Sequence, residues 1–275
     1  MNKLAISIPI GLGDLIHVKS QLDFVAFKYD VIELAFYEPF FTNYRSGNTS
    51  YIDFITEFYH LIFDGNPKYK LVAYDNQPFR NPSLLCSQEC FVPIRPLMRK
   101  ELCDIDTELP KEIYLTISTK IRSFHRKFWD EIKEEVFSIL NSKPLKIMFL
   151  GEKEIEYNPE YAYYGTDNIY SIYQELCQNI PADKIIDKTI PKLGITTPNI
   201  ANIRKDCAYL AGSKKNIMVG IGGNFCLAVA VGNSLGYRND EDHVGDILYS
   251  DRSPVYSDLK ITKRKDVFLE ELRRI

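Results

Sequence analysis

Four short stretches of this chain carry residue types whose spacing suits chemistry. The first is Gly11-Leu12-Gly13-Asp14-Leu15-Ile16-His17. Its glycines let the backbone turn sharply and approach a ligand closely. It departs from the dinucleotide fingerprint, because Ile16 stands where the third glycine would be. Asp14 opens a helical pattern. It reads either as a helix cap or as a general base at the mouth of a cleft, taking a proton from a hydroxyl. His17, one turn on, reads as a packing residue or as a polar group beside that base.

The second stretch runs from Thr116 to Lys127 and reads as the end of a strand and the start of a helix. Lys120, Arg122, Arg126 and Lys127 lie in it with no acidic residue among them; Asp130, Glu131, Glu134 and Glu135 follow. A cation at a helix N-terminus is disfavoured by about 0.3–1 kcal/mol. The cluster is therefore either a solvated basic face or the cradle of an anion, and a diphosphate fits. The third stretch, Gly151-Glu152-Lys153-Glu154, follows a strand; a carboxylate there suits a ribose diol or belongs to an acidic loop. The fourth, Gly220-Ile221-Gly222-Gly223-Asn224-Phe225, is a glycine turn into a helix. Its N–H groups suit a phosphate, or it is simply a tight strand-to-helix turn.

These stretches need a scaffold, and the apolar pattern supplies one. The near-continuous apolar run 4–10 reads as a strand buried on both faces, and 31–36, 70–74, 113–118, 145–150 and 217–221 read as further strands, with a short one at 184–187. Between them lie helical periods: Leu15, Val18, Leu22, Val25; Tyr51, Ile55, Phe58, Ile62, with Ser50 as N-cap; Phe124, Phe128, Ile132, Val136, Leu140. Further helices are expected over 168–179 and 199–210 and after Gly223. The alternation predicts an α/β fold of parallel sheets flanked by helices. The proline-rich stretch 75–110 reads as loops and a linker. Two Rossmann-like lobes follow: a short one over 1–109 and a second over 110–250. A tail at 251–275 is expected to end in a helix that crosses back to the first lobe.

The 275 residues carry a net charge of −3, so no global field draws nucleic acid or an anionic membrane. Cys86, Cys90, Cys103, Cys177, Cys207 and Cys226 have neither zinc nor disulfide-scaffold spacing, and free thiols are expected. The 18 tyrosines and 16 phenylalanines read as core, with sugar stacking as the functional alternative. The seven mostly apolar residues before Gly11 are too short for a signal peptide, and no apolar run is long enough to span a membrane. The expected location is cytoplasmic. The basic stretch 260–275 suits either a helix or a peripheral membrane contact.

In order and spacing, the four stretches together resemble the heptosyltransferase-like glycosyltransferases (family 9-like) of the two-lobed GT-B fold. That resemblance covers most of the chain. It implies that Asp14 is the catalytic base and that Gly11, Gly13 and His17 lie on the acceptor side. Ser118 to Trp129 matches the family's strand, Ser/Thr turn with lysine, and Trp-containing helix. The donor diphosphate role then falls on Lys120 or Lys127, with Arg122 or Arg126 sharing it. Glu152 and Glu154 are the candidates to hold the ribose. Asp187-Lys188-Thr189 resembles a Gly-Lys-Thr-like turn that places Thr189 by the nucleoside. The family's Asp-Thr/Ser-Gly turn before a His-Leu-Ala-Ala helix appears as Gly220 to Ala228, without the Asp and His. Phosphate binding by Gly222, Gly223 and Asn224 survives that change; recognition of a heptose does not follow. The implied reaction is sugar transfer from a nucleoside-diphosphate sugar to a hydroxyl of a glycan or glycolipid, inverting, with no metal and no cofactor. The alternative is a nucleotide- or sugar-binding relative without catalysis.

Overall fold

The computed structural model describes residues 1–7, 13, 15, 16, 18, 19, 22, 26–37, 50–63, 66–74, 99–122, 125–155, 169–193, 200–219, 223–237, 260–262 and 264–275. Two parallel sheets organise them. The first has three strands in the order β1 (Lys3–Ser7), β2 (Val31–Tyr37) and β3 (Tyr69–Tyr74). Helical residues between β1 and β2 bury Leu15, Val18 and Leu22 of the expected stripe, and Ile16 beside them; Val25 lies outside the described residues. Helix α1 (Ser50–Phe63) precedes β3 and buries Phe54, Phe58, Tyr59 and Ile62. Gly13 is already helical, so the expected glycine turn does not include it; Gly11, Asp14 and His17 lie outside the described residues. A short helix α2 (Arg99–Leu102) falls inside the stretch expected to be loops.

The second sheet has six parallel strands in the order β13-β12-β11-β4-β6-β9. Their ranges are β4 Tyr114–Ser118, β6 Lys146–Leu150, β9 Ile185–Asp187, β11 Asn216–Val219, β12 Ser234–Tyr237 and β13 Lys260–Thr262. Taken in chain order these six read 3-2-1-4-5-6, a doubly wound sheet whose winding reverses between β4 and β11. Helix α3 (Arg126–Ser142) links β4 to β6, α4 (Tyr173–Asn179) precedes β9, α5 (Ile200–Gly212) crosses back before β11, and α6 (Gly223–Val231) leads to β12.

Side-chain alternation along these strands divides two cores. Leu115, Ile117, Ile147, Phe149 and Ile217 face α3 and α4, where Phe128, Trp129, Ile132, Val136 and Leu176 meet them. Tyr114, Met148, Leu150 and Met218 face the other way and join α5 and α6. That second core runs on without a break into Ile6, Ile32 and Leu34 of the first sheet and Phe58 of α1. The C-terminal helix α7 (Lys265–Arg273) sits with α3: Phe268, Leu269 and Leu272 fill the first of these cores, and Lys265 pairs with Glu135 at 2.7 Å. Its buried face lies in the core of the second sheet.

Six strands were absent from the sequence reading: β12, β13 and four short ones. β5 (Lys120–Arg122) pairs antiparallel with β8 (Ile169–Ser171), and β7 (Glu152–Ile155) pairs parallel with β10 (Ile190–Leu193). The expected helix over 168–179 thus begins as a strand, and only Tyr173–Asn179 is α-helical.

Candidate functional site

A parallel sheet binds ligands outside the carboxyl ends of its strands, at the point where its winding reverses. Here that point is the pair of strand ends at Ser118 of β4 and Val219 of β11. Beyond β11 the chain enters α6 at Gly223, with Asn224 in its first turn; Gly222 lies outside the described residues.

Beyond β4 the chain does not enter a helix. Thr119 breaks the strand and the chain continues as β5. Lys120 and Arg122 therefore stand on a strand, and the expected conflict with a helix dipole does not apply to them. Helix α3 starts at Arg126, and its acids settle the cations in its first turn. Arg126 pairs with Asp130 at 3.2 Å, four residues on, and with Glu175 of α4 at 2.5 Å. Glu175 also accepts the Trp129 indole N–H at 3.1 Å. Lys127 lies over the Phe128 ring. The cluster expected to hold one anion is thus divided between two elements, and Lys120 is directed at another of the expected site residues.

That residue is Glu152, directly after β6. Lys120 Nζ lies 3.2 Å from Glu152 Oε1. The Glu152 side chain is only 9% exposed, and its Oε2 has no hydrogen-bond partner among the described residues. Two residues fix this arrangement. Gly151 adopts φ 108°, and a Cβ there would come within 2.7 Å of Thr119 Oγ1, so only glycine fits. Into that space the Thr119 hydroxyl donates to the carbonyls of Leu150 (3.1 Å) and Glu152 (2.9 Å). The Thr119 N–H adds a bond to Leu150 O at 2.8 Å, and Ser171 Oγ donates to Glu152 O at 2.6 Å.

The neighbouring residues form a separate knot. Asp187, at the end of β9, accepts from the Thr189 hydroxyl (2.5 Å), the Thr189 N–H (3.0 Å) and the Tyr173 hydroxyl (2.8 Å), and it pairs with Lys153 (2.7 Å). Burial opposes the Asp187 charge, but Lys153, Thr189 and Tyr173 outweigh it and hold the pKa down to about 2. Thr189, expected beside a nucleoside, is thus engaged as a cap on Asp187. Glu154 is exposed.

Sequence reasoning missed Thr119 and Asp206. Asp206 is half-buried on α5, and burial first, then the charge of Glu152, push its pKa up to about 7. The signal lay in the helical stripe of Ile203, Cys207 and Leu210, which carries one carboxylate on its inner side. The spacing Asp-x-Asp, associated with metals, also occurs at Asp104-Ile105-Asp106 and Asp240-Glu241-Asp242. In the first, the Asp104 carboxylate accepts from Asp106 N and from the Thr107 hydroxyl, a local turn. Among the described residues no group of three His, Cys, Asp or Glu is placed to hold a metal.

Fold and site together define a doubly wound α/β protein with an acidic and a basic side chain paired beyond the ends of β4 and β6, beside the reversal of its winding. No family model and no curated protein matches the chain. Solved structures similar to it include the iron-containing dodecameric glycosyltransferase TibC of enterotoxigenic E. coli. The match has 14% identity and TM-score 0.49, covering 86% of this chain and 58% of that one. E. coli ADP-heptose lipopolysaccharide heptosyltransferase II matches at 10% identity and TM-score 0.47, over 100% and 98% of the two chains. E. coli heptosyltransferase WaaC with ADP-2-deoxy-2-fluoro heptose matches at 12% and 0.42, over 87% and 90%. This chain thus spans little more than half the length of TibC. Likenesses at this level leave function to be argued from the chain's own residues.

Proposed function

We propose that the protein transfers a sugar from a nucleoside-diphosphate sugar to a hydroxyl of a glycan or glycolipid. The observation that carries this reading is the Lys120–Glu152 pair beside the β4–β11 reversal, with a buried Glu152 oxygen left to accept. Glu152 would accept from the ribose diol, and Lys120 would turn from Glu152 to the diphosphate. The N–H groups at the start of α6, around Gly223 and Asn224, would meet the phosphates from the other side of the crevice. Stabilising the departing diphosphate by fixed charges and dipoles is commonly the largest catalytic contribution. Asp14 would take the acceptor's proton as the hydroxyl attacks, and in-line attack inverts the anomeric carbon. Charge on the leaving group is met by side chains, so the scheme needs no metal.

The test is transfer and donor hydrolysis across a panel of nucleotide sugars, guided by thermal shift with UDP, GDP, ADP and CMP, since a ligand of the folded state raises its apparent stability. Asp14→Asn should abolish transfer and keep donor binding; wild-type transfer by that variant removes Asp14 as base. Binding without turnover by the unaltered chain would favour the non-catalytic alternative, which the Gly220–Ala228 turn, lacking its Asp and His, also suits.

A further inference from the structure

The crevice occupies the carboxyl ends of the second sheet, and the opposite end of that sheet carries charge to which no task has been given. Its six strands are parallel, so the helices that lead into them end there, with their last carbonyls directed the same way. Lysine marks almost every entry into a strand: Lys111 before β4, Lys143 and Lys146 at β6, Lys184 before β9, Lys214 and Lys215 before β11. Backbone bonds hold these entries side by side. Lys146 N donates to Ile113 O at 3.2 Å, Lys214 N to Tyr114 O at 3.0 Å and Thr116 N to Lys215 O at 3.0 Å.

Helix ends attract these lysines without neutralising them, because a helix terminus offers only about half a charge. Lys184 Nζ donates to the carbonyls of Leu140 (3.3 Å), Asn141 and Lys143 (2.8 Å) at the end of α3. Lys146 Nζ donates to Asp183 O, Lys143 Nζ to Arg273 O at the end of α7, and Lys214 Nζ to Ile275 O. Lys111 and Arg273 are exposed. Against these cations stand the exposed Glu108, Glu112 and Asp183, while Glu270 and Glu271 are taken by Arg274. Among the described residues this end is therefore positive, although the whole chain carries −3. Two aliphatic side chains lie among the lysines. Ile113 is 65% exposed, and Leu109, seated against Gly212 at the end of α5, is 42% exposed.

We propose that this end of the second sheet docks on an anionic lipid bilayer. Lys111, Lys143, Lys146 and Lys214 meet the headgroup phosphates, and Ile113 and Leu109 enter the boundary between headgroups and acyl chains. The aliphatic pair favours a bilayer over a soluble polyanion, which has no apolar layer to receive it. Lysine suits the task, because a flexible point charge needs no fixed partner geometry. Docking in this way leaves the crevice facing away from the lipid, about 15 Å or more above it, since β4 and β6 are five residues long. The docking surface is thus separate from the residues proposed for sugar transfer and does not depend on that reading.

Co-sedimentation of the full chain with phosphatidylcholine vesicles, with and without about 30 mol% phosphatidylglycerol, tests the proposal. At about 50 mM salt the anionic vesicles should bind at least about tenfold more tightly, and about 300 mM salt should remove most of that difference. Lys111→Gln with Lys214→Gln should weaken binding about 25-fold, at about fivefold per lysine. Ile113→Ser should weaken it about threefold and leave the salt dependence unchanged. Lys120→Met, at the crevice, should bind vesicles as the wild type does. Equal binding to both kinds of vesicle, or a double lysine variant that sediments like wild type, overturns the proposal. An equal loss in Lys120→Met places the lipid contact at the crevice and overturns it as well. Should the double variant unfold early in urea, Lys111→Gln alone, whose side chain takes no part in the bonds above, must still lose about fivefold. If Ile113→Ser binds as tightly as wild type and soluble heparin competes at equal charge, the surface serves polyanions in general and the bilayer assignment falls.

Discussion

Replacing Asp206 by Asn should stabilise the protein in a way that depends on pH. The sign follows from the direction of the shift. The folded state holds the Asp206 proton up to about pH 7, whereas an unfolded chain releases it near the ordinary 3.8. Between those values the native state binds more protons, so stability falls as pH rises through that window and is level above it. At about 1.4 kcal/mol per unit, the shift amounts to at most about 4 kcal/mol of strain carried by the wild type above pH 7. Asp206 is only half-buried, and the Asn amide must itself be desolvated, so the expected gain is about 1–3 kcal/mol. The assay is urea denaturation of both proteins at about pH 5 and about pH 8.5. The variant should match wild type more closely at the lower pH and exceed it at the higher. A difference that is the same at both values would refute the reasoning, because no protonation step would then separate folded from unfolded Asp206. Adding Glu152→Gln to each background should shrink the effect, since the Glu152 charge is the second cause of the shift.

Two further outcomes follow from the strand breaks. Thr119→Val keeps the shape of the side chain and removes the hydroxyl that donates to Leu150 O and Glu152 O. It should cost about 1–2 kcal/mol in denaturant unfolding, and an unchanged midpoint would show that the clamp contributes nothing. Lys120→Met should weaken nucleotide-sugar binding about tenfold, whereas Arg126→Met, whose cation is already held by Asp130 and Glu175, should weaken it by less than about threefold. Equal losses in calorimetric binding would return Arg126 to the diphosphate site.

Most strands of the parallel sheets were legible because they are largely apolar runs, whereas β12 and β13, Ser-Leu-Gly-Tyr and Lys-Ile-Thr, were not; α3 was legible because Phe128, Ile132, Val136 and Leu140 repeat at helical spacing. The place of the site was not. It depends on β4 pairing with β11, where Thr116 meets Asn216 across about a hundred residues of chain. No local pattern encodes such a pairing. Local periodicity also misled at Ile169, which shares its spacing with Ile172, Leu176 and Ile180 and yet belongs to β8. A three-residue strand is too short to show a period of its own, so the stronger neighbouring helix absorbed it.

The basic cluster failed as a single unit for a related reason, and that failure locates the site more narrowly than the cluster did. Three adjacent strands, β4, β6 and β9, each break at the end of the sheet and continue as β5, β7 and β10. The breaks are stitched together at one level: Thr119 N to Leu150 O, Lys188 N to Phe149 O, and Ile190 N to Gly151 O. Lys120 and Glu152 come just after such a break and Thr189 lies in one, so residues far apart in sequence are delivered beyond adjacent strand ends. A strand break of this kind turns the chain without spending a helix N-terminus, and it carries a lysine to a glutamate while leaving the arginine six residues further on to a different partner. Of the four expected diphosphate cations, Lys120 is thus the one that a described ion pair joins to another expected site residue, Glu152.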